Sequence, residues 1–271
     1  MADPQKPGFT EISPKQLMRL IGTPVCPVIL DICVPDDVAL APFRIPTSKA
    51  VAYSDILDHL PTLRDKHVVV VCQKGKKLSH GTAALLSANG INAEVLAGGI
   101  LAWLDSDLPR TEIAALPATN LWVTRHRPKI DRVACPWLIR RFVDPDATFL
   151  FVPPAEVGLV AEKFAATPFD VPDVAFTHNA GRCTFDAMLN HFALDTPALR
   201  KMADVIRAAD TDDHSRHPEA AGLLAISVGL SRMYKDDQAQ MNAALPLYDA
   251  LYRWARDGLQ ETHDWPWEDG Q

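Results

Sequence analysis

Cys72 stands at the end of four consecutive valines and opens a short basic loop, Cys72-Gln73-Lys74-Gly75-Lys76-Lys77. A cysteine acts as a nucleophile through its thiolate, which positive charge and helix N-termini favour. Lys74, Lys76 and Lys77 supply the charge. The stretch 81–89 reads as a helix that the loop leads into, so backbone N–H groups point back at the loop and favour a thiolate or a bound oxyanion. Nucleophilic chemistry at Cys72 is the expectation. A second constellation could hold a divalent metal: His178, Cys183, Asp210 and Asp212 offer nitrogen, sulfur and oxygen ligands of the kind zinc or a related ion takes. A capped, solvated turn is the competing reading of the Asp210-Asp212 stretch. A third is basic, within 125–141, where Arg125, Lys129 and Arg140 are candidates for an anion site and a solvated face is the alternative.

The elements that must position these residues follow from local pattern. β-Branched valines without polar alternation predict a strand buried on both faces of a parallel sheet, with the Cys72 loop at its carboxyl end, where open α/β sheets bind ligands. Short strands at 28–31, 50–52, 68–71 and 93–96 alternate with helices, again predicting a parallel sheet covered on both faces. Ser13 and Pro14 read as the start of a helix reaching Ile21. Prolines and small residues over 106–120 read as a linker. Beyond it come strands at 121–124 and 148–152 and then helices at 197–209, 218–234 and 236–256, a mainly helical half with a small sheet. Trp265 and Trp267 are expected to dock on the body.

The chain has 271 residues, 48% hydrophobic and 23% charged, which predicts two soluble globular domains. Its five cysteines are odd in number and form no close pair, arguing for a reducing compartment over a disulfide framework. The start of the chain carries no apolar signal segment and no run is long enough to span a bilayer, so a cytoplasmic protein without a membrane partner is expected. The formal charge is −7, divided as −1 before Pro117 and −6 from it onward, and neither half has the basic footprint of a nucleic-acid binder.

Several landmarks in order resemble the rhodanese-like family: Val28-Ile29-Leu30-Asp31-Ile32, Phe43-Arg44-Ile45-Pro46, the loop from Cys72 to Lys77, and Val95-Leu96-Ala97-Gly98-Gly99-Ile100 with Ala102-Trp103 and Leu108-Pro109. The resemblance implies a rhodanese-like α/β domain over 1–112, a linker at 113–120 and sulfurtransferase activity through a Cys72 persulfide. It implies thiosulfate or a persulfide as donor, no cofactor for the transfer, and a supporting role for Asp31. The chain departs from the family pattern at Cys33 and Lys77, where Arg is frequent, and at Leu78, where Ser or Thr is.

Residues 121–271 resemble the C-terminal domain of the chromate resistance protein ChrB family, through Trp122-Val123-Thr124-Arg125, Lys129-Ile130-Asp131, the run from Ala134 to Phe142, Phe169-Asp170-Val171-Pro172, His178, Cys183-Thr184-Phe185-Asp186 and Ala209-Asp210-Thr211-Asp212. That implies a link to chromate resistance and a chromate- or sulfate-type oxyanion as partner. The alternative to an enzyme is an oxyanion- or metal-responsive binding protein in which the rhodanese-like part is accessory. Chromate reduction by the cysteines is a third reading.

Overall fold

The computed structural model describes residues 9–261. Trp265 and Trp267 lie outside that range. The first half is built on a five-stranded, all-parallel sheet. It contains β1 (Thr10–Ile12), β2 (Val28–Asp31), β4 (Lys49–Ala50), β5 (His67–Val71) and β6 (Asn92–Leu96), in the order β1-β6-β5-β2-β4. Helices α1 (Pro14–Leu20), α2 (Pro35–Leu40), α3 (Ile56–Leu63), α4 (Lys77–Ala88) and α5 (Gly99–Asp105) connect the strands. A two-residue strand β3 (Phe43–Arg44) pairs antiparallel with β7 (Thr111–Glu112).

Strand β5 sits at the centre because its sequence suits no other place. Val68, Val69, Val70 and Val71 are all fully buried, and their side chains divide between two apolar clusters, one on each face of the sheet. This is the geometry that a run of apolar β-branched residues without alternation demands. Its register with β2 sets Asp31 beside Val71, and the Ile32 N–H donates to the Val71 carbonyl (2.8 Å). Asp31 and Cys72 therefore emerge at the same carboxyl edge. Helix α1 begins as expected, with a Ser13–Gln16 capping box and Pro14 in its first turn.

The second half has a parallel three-stranded sheet, β10-β8-β9, made of β8 (Leu121–Arg125), β9 (Thr148–Val152) and β10 (Thr167–Pro168). Around it lie α6 (Asp131–Leu138), α7 (Val157–Phe164), α8 (Thr184–His191), α9 (Pro197–Asp210), α10 (Glu219–Met233) and α11 (Asp237–Arg253). Helix α6 runs into a π-helical turn, Ile139–Val143, and buries Trp137, whose indole N–H donates to Asp249 (2.8 Å). Arg141 pairs with the same carboxylate (2.8 Å).

The stretch expected as a linker is tied to both halves. Thr111 pairs with Arg44 through β7, and its hydroxyl donates to the Phe192 carbonyl (2.8 Å). One apolar cluster runs continuously from Leu17, Ile21 and Trp103 to Trp137, Phe142 and Tyr252. Gly22 marks the closest approach: with φ at +80°, it faces Phe142 and Tyr252 so tightly that a Cβ would come within 2.3 Å of the Phe142 ring. Only glycine accepts that conformation and that space. Among the described residues, no helix is long and apolar enough to cross a membrane.

Candidate active site

Cys72 directly follows β5 and is 5% exposed. The sulfur rests in a ring of donors. Burial pushes its thiol up, but hydrogen bonds from the Ser79 hydroxyl and from the backbone N–H groups of Lys76, Ser79 and Lys74 outweigh that effect. They hold it below the ordinary thiol value. Ser79 is fully buried beside the sulfur, and its hydroxyl has no other hydrogen-bond partner among the described residues. The sequence predicted the helix from Gly81; it starts four residues earlier, at Lys77. That early start puts Ser79 in the first turn, where its free N–H faces the loop.

Two glycines let the loop close. Gly75 has φ +60°, and a Cβ there would meet the Leu96 carbonyl oxygen at 2.4 Å. Gly99, at φ +64°, is closer still, since its Cβ would lie 2.1 Å from the Cys72 carbonyl oxygen. Helix α5 then caps the loop from behind: Ile100 N–H donates to Cys72 O (3.0 Å) and Leu101 N–H to Gln73 O (3.2 Å). The side chains of Lys74, Lys76 and Lys77 are exposed. They surround the mouth of the loop, while the main chain contacts the sulfur. His80 is engaged with Glu11 (3.5 Å) and with the ring of Phe9.

Asp31 is buried at the end of β2 and accepts the Cys33 N–H (3.0 Å). Its charge is paired with Arg44, which comes from β3. The sequence pattern left Asp31 without a basic partner because Cys33 occupies the usual place, and the fold supplies one from further along the chain. Cys33 itself is raised, by burial first and then by Asp31, and remains a neutral thiol. Burial also raises Cys26, Cys135 and Cys183. All five cysteines are free, and Cys72 alone is lowered.

The second half gathers a different set of groups. Asp131 opens α6 and is 1% exposed; Asp170 follows β10 and is 6% exposed. His178 Nε2 lies 3.2 Å from Asp131 Oδ2, 3.3 Å from Asp170 Oδ1 and 3.2 Å from Asp210 Oδ2. The segment between Asp170 and His178 turns back on itself: Asp170 N–H donates to Phe176 O (2.8 Å), so both residues face one space. Thr184, at the start of α8, donates its N–H to Asp131 Oδ2 (2.6 Å) and its hydroxyl to Asp170 Oδ1 (2.9 Å). Arg125 (2.9 Å) and Arg132 (3.2 Å) both hold Asp170 Oδ2. The His178 imidazole is pushed up to about 9, first by its hydrogen bond to Asp131 and also by the three carboxylate charges. Burial, then repulsion from Asp131, lifts Asp210 to about 6.

Of the predicted ligands, His178 and Asp210 come together and Asp212 does not. Asp212, with φ +60°, turns out to solvent past the end of α9 and lies 3.6 Å from His214. Cys183 is buried as the N-cap of α8, beside Asp131, as a neutral thiol. Asp131 and Asp170 complete the cluster; they stood in the sequence among the landmark residues of this half, without a spacing that marked them as ligands. The predicted anion site does not assemble. Arg125 is bound to Asp170, Arg140 reaches Ala147 O (3.2 Å) and Asn242 (3.1 Å) over the face of Phe149, and Lys129 is exposed.

Residues 13–106 match the rhodanese-like domain family, and residues 122–255 match the family of the ChrB C-terminal domain. The chain joins a rhodanese-like domain to a ChrB C-terminal domain. Protein ChrB of Cupriavidus metallidurans is 26% identical over 247 residues, covering 83% of this chain and 74% of that protein. Solved structures similar to the rhodanese-like domain include a rhodanese-like domain protein from Staphylococcus aureus. It is 28% identical over 35% of this chain and 91% of its own, with a TM-score of 0.31. A thiosulfate sulfurtransferase from Pseudomonas aeruginosa is 25% identical over 41% of this chain and 21% of its own, with a TM-score of 0.33. The Cys72 cradle thus lies in the rhodanese-like domain, and the His178 cluster in the ChrB C-terminal domain.

Proposed function

We propose that the rhodanese-like domain is a sulfurtransferase that carries sulfane sulfur as a persulfide on Cys72. The observation that carries this reading is the cradle. Cys72 alone among five cysteines is held toward its thiolate, by three backbone N–H groups and the Ser79 hydroxyl.

The step balances with thiosulfate as donor. The Cys72 thiolate attacks the outer sulfur, forming one S–S bond while the S–S bond of thiosulfate breaks and sulfite leaves with the electron pair. The same N–H groups that hold the thiolate then hold the terminal persulfide anion. A nucleophilic acceptor such as cyanide or a thiolate takes the outer sulfur and returns Cys72 as thiolate. Lys74, Lys76 and Lys77 attract the anionic donor and favour sulfite as it departs. No metal or organic cofactor enters these steps. By its ChrB C-terminal domain the protein is linked to chromate resistance, and the free cysteines suit a reducing cytoplasm.

The test is steady-state formation of thiocyanate from thiosulfate and cyanide by the whole chain. Wild type turns over and Cys72→Ser does not; equal rates for the two would overturn the assignment. A second reading, a metal- or oxyanion-responsive protein with an accessory rhodanese-like domain, draws support from the His178 cluster.

A further inference from the structure

We propose that Asp131, Asp170 and His178, with Asp210 orienting the imidazole, form a binding site for one divalent transition-metal ion in the ChrB C-terminal domain, with oxygen and nitrogen ligands and no thiolate. The site is independent of sulfur transfer at Cys72.

Three observations carry it. The first is distance. One imidazole Nε2 faces three carboxylate oxygens at 3.2, 3.3 and 3.2 Å. A single N–H can serve one acceptor well, and charge-assisted N–H···O bonds are shorter, about 2.7–2.9 Å. Ligand atoms around an ion with bonds of about 2.0–2.1 Å stand about 3.3 Å apart in a tetrahedral shell, which matches the spacing of Nε2 from the Asp131 and Asp170 oxygens. Asp131, Asp170 and His178 offer atoms that all lie within 4.8 Å of one another, so one ion can reach all three; Asp210 falls outside that group and contacts it through His178 Nε2.

The second is an unpaired oxygen. Asp131 is 1% exposed and turns Oδ2 to His178, while Oδ1 of the same carboxylate has no hydrogen-bond partner among the described residues. A buried carboxylate oxygen left bare is costly, and a bound cation satisfies it. The third lies behind the ligands. Thr184 holds the inner oxygens of Asp131 and Asp170, and Arg125 and Arg132 hold the outer oxygen of Asp170, leaving its Oδ1 toward His178. Outer partners of this kind orient metal-binding carboxylates.

The donor set selects the ion. Two carboxylates with one imidazole suit zinc, manganese or iron in the divalent state, and with no thiolate the site is a poor one for softer ions. Cys183 stays outside it as a buried neutral thiol. The His178 side chain is 43% exposed, so one side of the ion faces solvent and keeps coordination positions for water or a small anion.

The test uses the full chain, stripped with chelator and titrated with Co²⁺ alone, read by visible absorption and calorimetry, then by competition with Zn²⁺. One equivalent should bind, with visible cobalt bands and no sulfur-to-cobalt band in the near ultraviolet. His178→Ala and Asp210→Asn, both at partly exposed positions, should each weaken binding by at least about tenfold. Asp131→Asn should do the same, with its circular dichroism and melting compared to wild type. Cys183→Ser, Asp212→Asn and Cys72→Ser should bind like wild type. The absence of saturable one-to-one binding, a sulfur band lost in Cys183→Ser, or wild-type affinity in both His178→Ala and Asp210→Asn would each overturn the proposal and leave a plain ion-pair network.

Discussion

Ser79→Ala isolates the one side-chain donor in the Cys72 cradle. The hydroxyl is buried against the sulfur, so its loss removes a hydrogen bond to a charged acceptor and leaves the backbone donors in place. Such a bond contributes about 1.5–3 kcal/mol. At about 1.4 kcal/mol per decade, the thiolate population below the titration midpoint falls by about one to two decades. The remaining thiolate is less stabilised and so more nucleophilic, with a Brønsted coefficient of about 0.4–0.5, which returns almost half of the loss. Iodoacetamide labelling of Cys72, followed by peptide mass spectrometry, should therefore be about three- to tenfold slower in the variant below both midpoints. Above them it should be several-fold faster. The sign follows from the lowered thiol: depriving the thiolate of a donor moves the reactive form to higher pH. The same shift stabilises the wild-type fold above the ordinary thiol range, and that contribution is lost as pH falls through the depressed value. Cys26 and Cys33, raised by burial, serve as slow internal controls. Equal slowing at every pH would mean that access had changed, and unchanged rates would mean that the hydroxyl does not act on the sulfur; either result refutes the reasoning.

Arg44→Met strands the buried Asp31 charge and should cost about 3–5 kcal/mol in chemical denaturation. A melt like that of the wild type would show that the pair contributes nothing. Gly99→Ala puts a methyl group 2.1 Å from the Cys72 carbonyl oxygen at a positive φ, and should abolish sulfur transfer by displacing the loop. Retained activity would contradict the tight closure described above.

How far the sequence reveals this protein depends on the range over which each feature is encoded. The Cys72 site is local: valines that can only be a central strand, a cysteine, a loop with glycine, and a helix behind it are contiguous, and they were legible as a unit. The first turn of α4 was not, because Lys77, Leu78 and Ser79 carry no capping signal, and what holds that turn is the approach of Gly75 to Gly99 across the fold. No local pattern marks Arg44 as the partner of Asp31, since the pairing runs between strands rather than along the chain. In the second half, helical periodicity revealed buried faces but not what covers them, so the core shared by Leu17, Phe142 and Tyr252 was invisible. Asp210 and Asp212 looked equivalent in sequence. They part company at the end of α9, where Asp210 is still helical and Asp212 adopts a left-handed turn that points it outward. Asp131 and Asp170 needed the tertiary structure to meet His178 at all.

The most direct test of the central claim is the mass of the chain after brief treatment with thiosulfate and removal of excess reagent. The account predicts one added sulfur, mapped to the peptide containing Cys72, released as thiocyanate by cyanide and absent from Cys72→Ser. An unchanged mass, or an added sulfur that persists in Cys72→Ser, would contradict it.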